Sequence, residues 1–368
     1  MVVRLSIGEA FAARKRNPHN TWAYSHGPDA ISRIYNGIAS VRADYDGPKL
    51  TKDDPIFAMG SCFAREIEFH LRRVGCRVTS TDKVAMSLPA FAGSHKKGSG
   101  NLFTPRAMLR AFRRAFGPAK MNRQGFFHRF TPRAMLHEFR RAFDELDGWN
   151  DEESLLFEHA GSVVDFNYWH VPGCDMSREA AIVRREVGRQ LVRTAAQAKV
   201  IILTLGLTES WRHLPTGFTV NRFLPAVIRS RGQEFGLELL EVEDVIADLD
   251  AIWDLVKRHH ETGDFQMVVT VSPVPLITTF TGKDVIIANM DSKATLRAAA
   301  AVFCRRDGVH YFPSYEMAAY TPPKLAWRKD KSHVRPQLVS QIVRTFVGAY
   351  YEPGALGTPS RWWSRLLG

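Results

Sequence analysis

The sequence predicts an α/β fold, with a central, mostly parallel sheet covered by helices and a helical insertion added to it. Three observations carry this reading. Amphipathic helical patterns alternate with short apolar runs along the chain, the order expected of strand–helix–strand units. The runs, VIILTL at 200–205 and MVVTV at 267–271 among them, are almost continuously apolar, as strands buried on both faces must be. A length of 368 residues with 45% hydrophobic residues is enough to bury one large core.

Residues 1–54 are polar, rich in turn formers and weakly periodic, and read as an N-terminal arm that wraps the domain. From Pro55 the pattern changes. PIFAMGSCFAREIEFHLRRVG reads as a buried strand over Ile56–Met59, a tight turn at Gly60, and a helix whose Phe63, Ile67, Leu71 and Val74 share one face until Gly75 stops it. FTPRAMLRAFRRAF at 103–116 then returns as FTPRAMLHEFRRAF at 130–143, a tandem repeat with period 27. Each copy offers Thr as N-cap and Pro at the first helical position, which makes 103–143 a basic helical insertion. Two copies are too few for a solenoid, so one copy fills a place in the fold and the other is an addition.

A helix from about Ser177 places Ala180, Val183, Val187, Leu191 and Ala195 on one face and feeds the strand Val200–Leu205. EVEDVIADLDAIWDLVKRHH and FQMVVTVSPVPL form a second helix–strand pair, with the apolar run ending at Ser272 and Pro273. A helix over Ser292–Phe303, a strand in VHYFPSY and a closing helix in PQLVSQIVRTFVGAYY complete the domain at about residue 350, leaving 351–368 as a C-terminal tail.

In such a sheet ligands bind at the carboxyl ends of strands. Ser61 lies at the first of these ends, between Gly60 and the first turn of a helix, where its hydroxyl, its own backbone N–H and the helix dipole suit a nucleophile with an oxyanion beside it. A serine needs a base oriented by a third group, and Asp330-Lys331-Ser332-His333 offers both: a helical turn would put the carboxylate and the imidazole on one side. The competing role for Ser61 is a simple N-cap, and for Asp330 and His333 an ordinary surface turn. Cys62 reads as a buried neighbour of Ser61.

GSCFA at 60–64, with SREAAIVRRE near 177, LTLGLTESW at 203–211, VTVSPVPL at 269–276, ANMDSKATLRAAA at 288–300 and YFPSYE at 311–316, resembles the GSCFA family from about residue 55 to 345. The family is similar in fold to SGNH or GDSL-type hydrolases. The resemblance implies a three-layer flavodoxin-like (SGNH hydrolase-like) domain over 55–350, Ser61 as nucleophile, and Asp330 with His333 as its partners. In SGNH enzymes a block-two glycine and a block-three Gly-x-Asn-Asp string complete the oxyanion hole. Here Gly206-Leu207-Thr208-Glu209 stands in that string, with threonine for asparagine, and Gly100 and Asn101 are the candidates for block two. Thr208 and Glu209 equally suit the start of a helix after a strand. Ser272, Pro273, Asn289 and Lys293 match family blocks as architecture, with Lys293 also a candidate to line an anionic pocket.

The implied function is an SGNH-like serine esterase or O-acyltransferase acting on an ester, such as an acylated carbohydrate, through a Ser-His-Asp triad. The alternative is a non-catalytic binding or assembly protein that retains the fold and attaches to membrane or polyanion. No metal or redox cofactor is implied; acyl-CoA is the natural donor for a transferase.

The net charge of +12 is concentrated. Ten Lys or Arg against the single acid Glu138 lie between Phe103 and Phe143. The layout lacks a recognition helix or the aromatic and basic interleaving of nucleic-acid binders, so these arginines read as a solvated face or as a contact for an anionic lipid, nucleotide or polysaccharide. GTPSRWWSRLLG at 357–368 has the composition of an interfacial anchor or of a tail docked on its own domain. Four cysteines without metal spacing, and no segment of about 20 apolar residues, point to a reduced, cytoplasmic protein, peripheral at a membrane at most.

Overall fold

The computed structural model describes residues 5–22, 29–35, 37–80, 129–151, 153–159, 161–167, 177–221, 227 and 230–356. In chain order the helices are α1 (Ile7–Arg16), α2 (Ala30–Tyr35), α3 (Cys62–Arg73), α4 (Pro132–Ala142), α5 (Arg178–Arg193), α6 (Val242–His259), α7 (Val285–Phe303), α8 (Ser314–Ala319), α9 (Pro323–Ala326) and α10 (Pro336–Tyr350). The strands are β1 (Pro55–Gly60), β2 (Arg77–Val78), β3 (Leu156–His159), β4 (Ser162–Asp165), β5 (Val200–Leu205), β6 (Glu209–His213), β7 (Thr219–Val220), β8 (Phe235–Leu239), β9 (Gln266–Val271) and β10 (Val309–Tyr311).

β1, β2, β5, β9 and β10 form one parallel sheet in the order β10-β9-β5-β1-β2. Its residues alternate between two cores. Phe57, Met59, Ile201, Leu203, Met267 and Val269 pack with α4, α5, α6 and α7, whereas Ile56, Ala58, Val200, Ile202 and Val268 pack with α3 and α10. Both faces being covered is why these strands read as unbroken apolar runs, and each fully buried side chain contributes roughly 1.5–3 kcal/mol. Two antiparallel additions, β3–β4 and β7-β6-β8, have a separate small core around Phe157, Phe166, Phe218 and Phe235.

Most expected elements are found, with four differences. The arm 1–54 is not uniformly irregular: α1 is closed by a Ser6–Glu9 capping box, and Leu50 pairs with Tyr351 across the domain. The helix expected from Ser292 begins two turns earlier, because the Asp284 carboxylate caps it through Ile286 N–H. The strand in VHYFPSY stops at Tyr311, and Ser314 already opens α8. Glu209 starts strand β6 rather than a helix, since the 209–213 segment finds a ladder partner in residues 235–239, too distant in sequence for local periodicity to register.

The second repeat copy is built into the fold. Thr131 caps α4 through Ala134 N–H, Pro132 takes the first turn, and Met135 and Phe139 are fully buried. The first copy lies outside the described residues. Arg129 and Arg141 are not a solvated face: both are buried on opposite oxygens of Glu138, at 2.7 and 2.6 Å, and Asn167 adds a third donor at 3.1 Å. Arg133 is spread over Glu238, Asp244 and Asp248, tying α4 to β8 and α6. The basic excess of this copy is therefore largely consumed inside the fold, because helix packing brings carboxylates from distant elements onto it.

Candidate active site

The chain moves outward one way from β1 to β2 and the other way from β5 through β9 to β10, so the sheet order reverses between β1 and β5. A crevice at the carboxyl ends of two such strands is where an open α/β sheet binds ligands. Ser61 leaves β1 there and Gly206 leaves β5 beside it.

Gly60 makes this junction possible. Its φ is +151°, and a Cβ there would stand 2.4 Å from the Thr204 carbonyl oxygen across the β1–β5 ladder. Gly206 is constrained from the other side: a Cβ would meet the Phe130 carbonyl oxygen at 2.7 Å and Ser61 Cβ at 3.3 Å. Gly60→Ala is expected to lower unfolding free energy by about 3 kcal/mol, combining backbone strain with steric overlap. Urea denaturation checks this; an unchanged midpoint would mean the two strands do not approach so closely.

Ser61 caps α3, its Oγ accepting from Phe63 N–H at 3.3 Å, and it is 2% exposed. Its hydroxyl donates to Ser272 Oγ, at the end of β9, at 2.8 Å. Ser272 Oγ also accepts from Val274 N–H. The Ser61 backbone N–H, expected to face an oxyanion, instead donates to Thr204 O at 3.3 Å, because the parallel ladder runs one residue past the strand. Cys62 is the inert neighbour expected: burial pushes its thiol up to about 11, and the reactive form of cysteine is the thiolate.

Asp330 and His333 do pair. The His333 ring Nδ1 lies 3.0 Å from Asp330 Oδ2, while the other carboxylate oxygen accepts the backbone N–H groups of His333 and Ser332 at 2.9 and 3.0 Å. Those donors hold the Asp330 carboxyl well below the usual carboxylate range. The unit is not the helical turn expected. It is an exposed turn with Lys331 at φ +59°, built around the Asp330 side chain, because a carboxylate that takes nearby backbone N–H groups competes with helix formation. Among the described residues no hydrogen bond joins the Ser61 hydroxyl to the His333 ring; the structure brings Ser61 to Ser272 and His333 to Asp330.

Thr208 is 8% exposed; its backbone N–H donates to Ser292 Oγ on α7 at 3.1 Å and its carbonyl accepts from Leu240 N–H. Glu209 turns to the 273–284 loop, accepting from Thr279 Oγ1 and Phe280 N–H. Gly100 and Asn101 lie outside the described residues, as does the tail 357–368. A cavity of about 370 Å³ adjoins Thr208 and Glu209, bounded by Leu240, Val242, Ala288 and Asp291. A larger one, about 820 Å³, runs along the β10 edge beside Arg305 and His310; neither cavity is lined by Ser61, Ser272 or His333.

Sequence reasoning placed Ser272 and Lys293 in family blocks as architecture without joining them to Ser61. The signal was a hydroxyl residue at the end of a buried strand, but a contact spanning 211 positions has no local trace. Lys293 is 1% exposed, and its Nζ donates to the carbonyls of Gly206 at 2.7 Å and Val274 at 2.8 Å. Burial lowers this amine to about 7.

A model of the GSCFA family matches residues 55–346, from β1 into the last turns of α10. No curated protein matches the chain.

Proposed function

The chain belongs to the GSCFA family, and from the place of Ser61 within it we propose an SGNH-like serine esterase or O-acyltransferase. The observation that carries the reading is Ser61 at the reversal point of the sheet, in the tight glycine turn that opens α3. The strand order supports a flavodoxin-like arrangement, in which such a reversal marks the binding crevice.

In this reading the Ser61 oxygen attacks an ester carbonyl carbon, His333 takes the Ser61 proton, and Asp330 holds the imidazole tautomer and balances the imidazolium. His333 then returns the proton to the leaving alkoxide, and the acyl-enzyme passes to water or to a sugar hydroxyl. The exposed turn carrying His333 has to settle against Ser61 when substrate arrives; catalytic hydrogen bonds are often absent or long before that point. The cavity beside Thr208 has the size of a small-molecule site, and its carboxylates suit a hydroxyl-rich acceptor better than an anionic donor such as acyl-CoA. Cys62, Cys76 and Cys304 are free, which supports a reducing, cytoplasmic setting. Among the described residues no helix is long and apolar enough to cross a membrane.

A second reading, a non-catalytic binding protein, is favoured by the near-complete burial of the Ser61 hydroxyl and its capping of α3. Incubation with a fluorophosphonate followed by peptide mapping separates the two. An adduct on Ser61 supports the enzyme; no adduct under conditions where an esterase control reacts removes it. Asp330→Asn is expected to slow the labelling by about 100-fold or more, through loss of the imidazole orientation. An unchanged rate would exclude Asp330 from the triad.

A further inference from the structure

Among the described residues, the backbone donors at Ser61 and at 206–208 are committed elsewhere. Ser61 N–H goes to Thr204 O, Gly206 N–H and Leu207 N–H go to Phe130 O at 2.9 and 2.8 Å, and Thr208 N–H goes to Ser292 Oγ. A tetrahedral intermediate at Ser61 needs positive potential from some other group.

A buried cation that the described residues bring to this crevice is Lys293. Two of its three N–H positions hold the carbonyls of Gly206 and Val274, which belong to the loops that leave β5 and β9 and flank Ser61 and Ser272. No carboxylate pairs with it among the described residues. On α7 itself, Asp291 is spent on Lys283. On α6, Asp244 and Asp248 are spent on Arg133, and Asp250 on Arg306. From β10, His310 is bonded to Gln266; from α3, Glu66 is paired with Arg328. The Cys62 thiol, one residue from Ser61, is pushed up to about 11 by burial and is uncharged near neutrality, so it is no counter-ion. A buried ammonium without a counter-ion is costly, and a site that develops negative charge transiently is a place where it serves.

We infer that Lys293 is a positioning residue of the Ser61 site: its ammonium fixes the loops after β5 and β9 and supplies the positive potential that stabilises the oxyanion formed when Ser61 attacks. The inference rests on the serine reading above. The folded amine is charged below about pH 7 and loses its proton as pH rises through that value, so the oxyanion is better stabilised on the acid side of neutrality.

The test uses the full chain and the rate of fluorophosphonate labelling of Ser61 from pH 5.5 to 9.5, for wild type, Lys293→Met and Lys293→Arg, with thermal melting as the control on folding. Expected is a wild-type profile with a falling alkaline limb. Lys293→Met should be slower by about 100-fold at pH 6.5, with the gap narrowing above pH 8 and the limb gone. Lys293→Arg, charged throughout, should remove the alkaline limb while keeping Ser61 labelled. Wild-type labelling by Lys293→Met at pH 6.5, or an alkaline limb retained in either folded variant, overturns the role of Lys293 and leaves the serine reading intact. Should Lys293→Met fail to fold, the Lys293→Arg profile alone decides. Absence of Ser61 labelling in wild type removes both.

Discussion

Ser61→Ala is expected to abolish fluorophosphonate labelling, a fall of at least about 1000-fold, as loss of a catalytic serine does elsewhere. The same substitution removes the α3 cap to Phe63 N–H, which costs about 1 kcal/mol. The two effects must be told apart. Ser61→Gly weakens an N-cap by only a few tenths of a kcal/mol and has no hydroxyl, so it should melt near wild type and remain unlabelled. Ser272→Ala removes the acceptor of the Ser61 hydroxyl and is expected to change labelling by about tenfold at most, since Ser272 orients the group without reacting. Labelling that survives in Ser61→Ala would place the reactive residue elsewhere.

The second large effect concerns stability. Glu138→Ala is expected to cost about 3–5 kcal/mol, read by urea denaturation. The substitution removes the carboxylate shared by two buried guanidiniums, those of Arg129 and Arg141, and frees the Asn167 amide. Arg141 keeps Asp151 at 3.0 Å, but breaking one member of a buried ionic group weakens the compensation of its buried charges, whereas replacing the three residues by apolar ones removes those charges. Arg129→Met, Glu138→Leu and Arg141→Met combined should therefore recover most of the loss. A cost below about 1 kcal/mol for the single change would show that the ionic group is not buried as described. Because Arg129 N–H holds Gly60 O and Phe130 O holds Gly206 N–H and Leu207 N–H, Glu138→Ala should slow Ser61 labelling as well.

The parallel sheet is legible in the sequence because burial on both faces writes it in unbroken apolar letters, and Val200–Leu205 is legible to the residue. α3, α4, α6 and α10 were legible through helical spacing together with caps and stops such as Gly75, Thr131 and Pro336. What escaped has a common cause. The β6 ladder, the Ser61–Ser272 bond and the seating of Lys293 all depend on partners dozens to hundreds of positions away, and none of these residues is unusual for its own neighbourhood. The Asp330 turn escaped for the opposite reason. Its spacing fits a helical turn as well as a side-chain-capped one, and only the φ of Lys331 separates them.

The two copies of the repeat differ within their fourteen-residue block at two positions: Arg110 and Ala111 in the first stand where His137 and Glu138 stand in the second. One of those two positions carries the carboxylate on which Arg129 and Arg141 close. A duplicated segment ordinarily gives a chain two equivalent ways to fill one slot, and hence a choice of threading. Just before the block, Leu102 stands where Arg129 does, so both the carboxylate and one of its two arginines are particular to the second copy. The ionic group that Arg129, Glu138 and Arg141 form thus marks the second copy as the one whose sequence can close it.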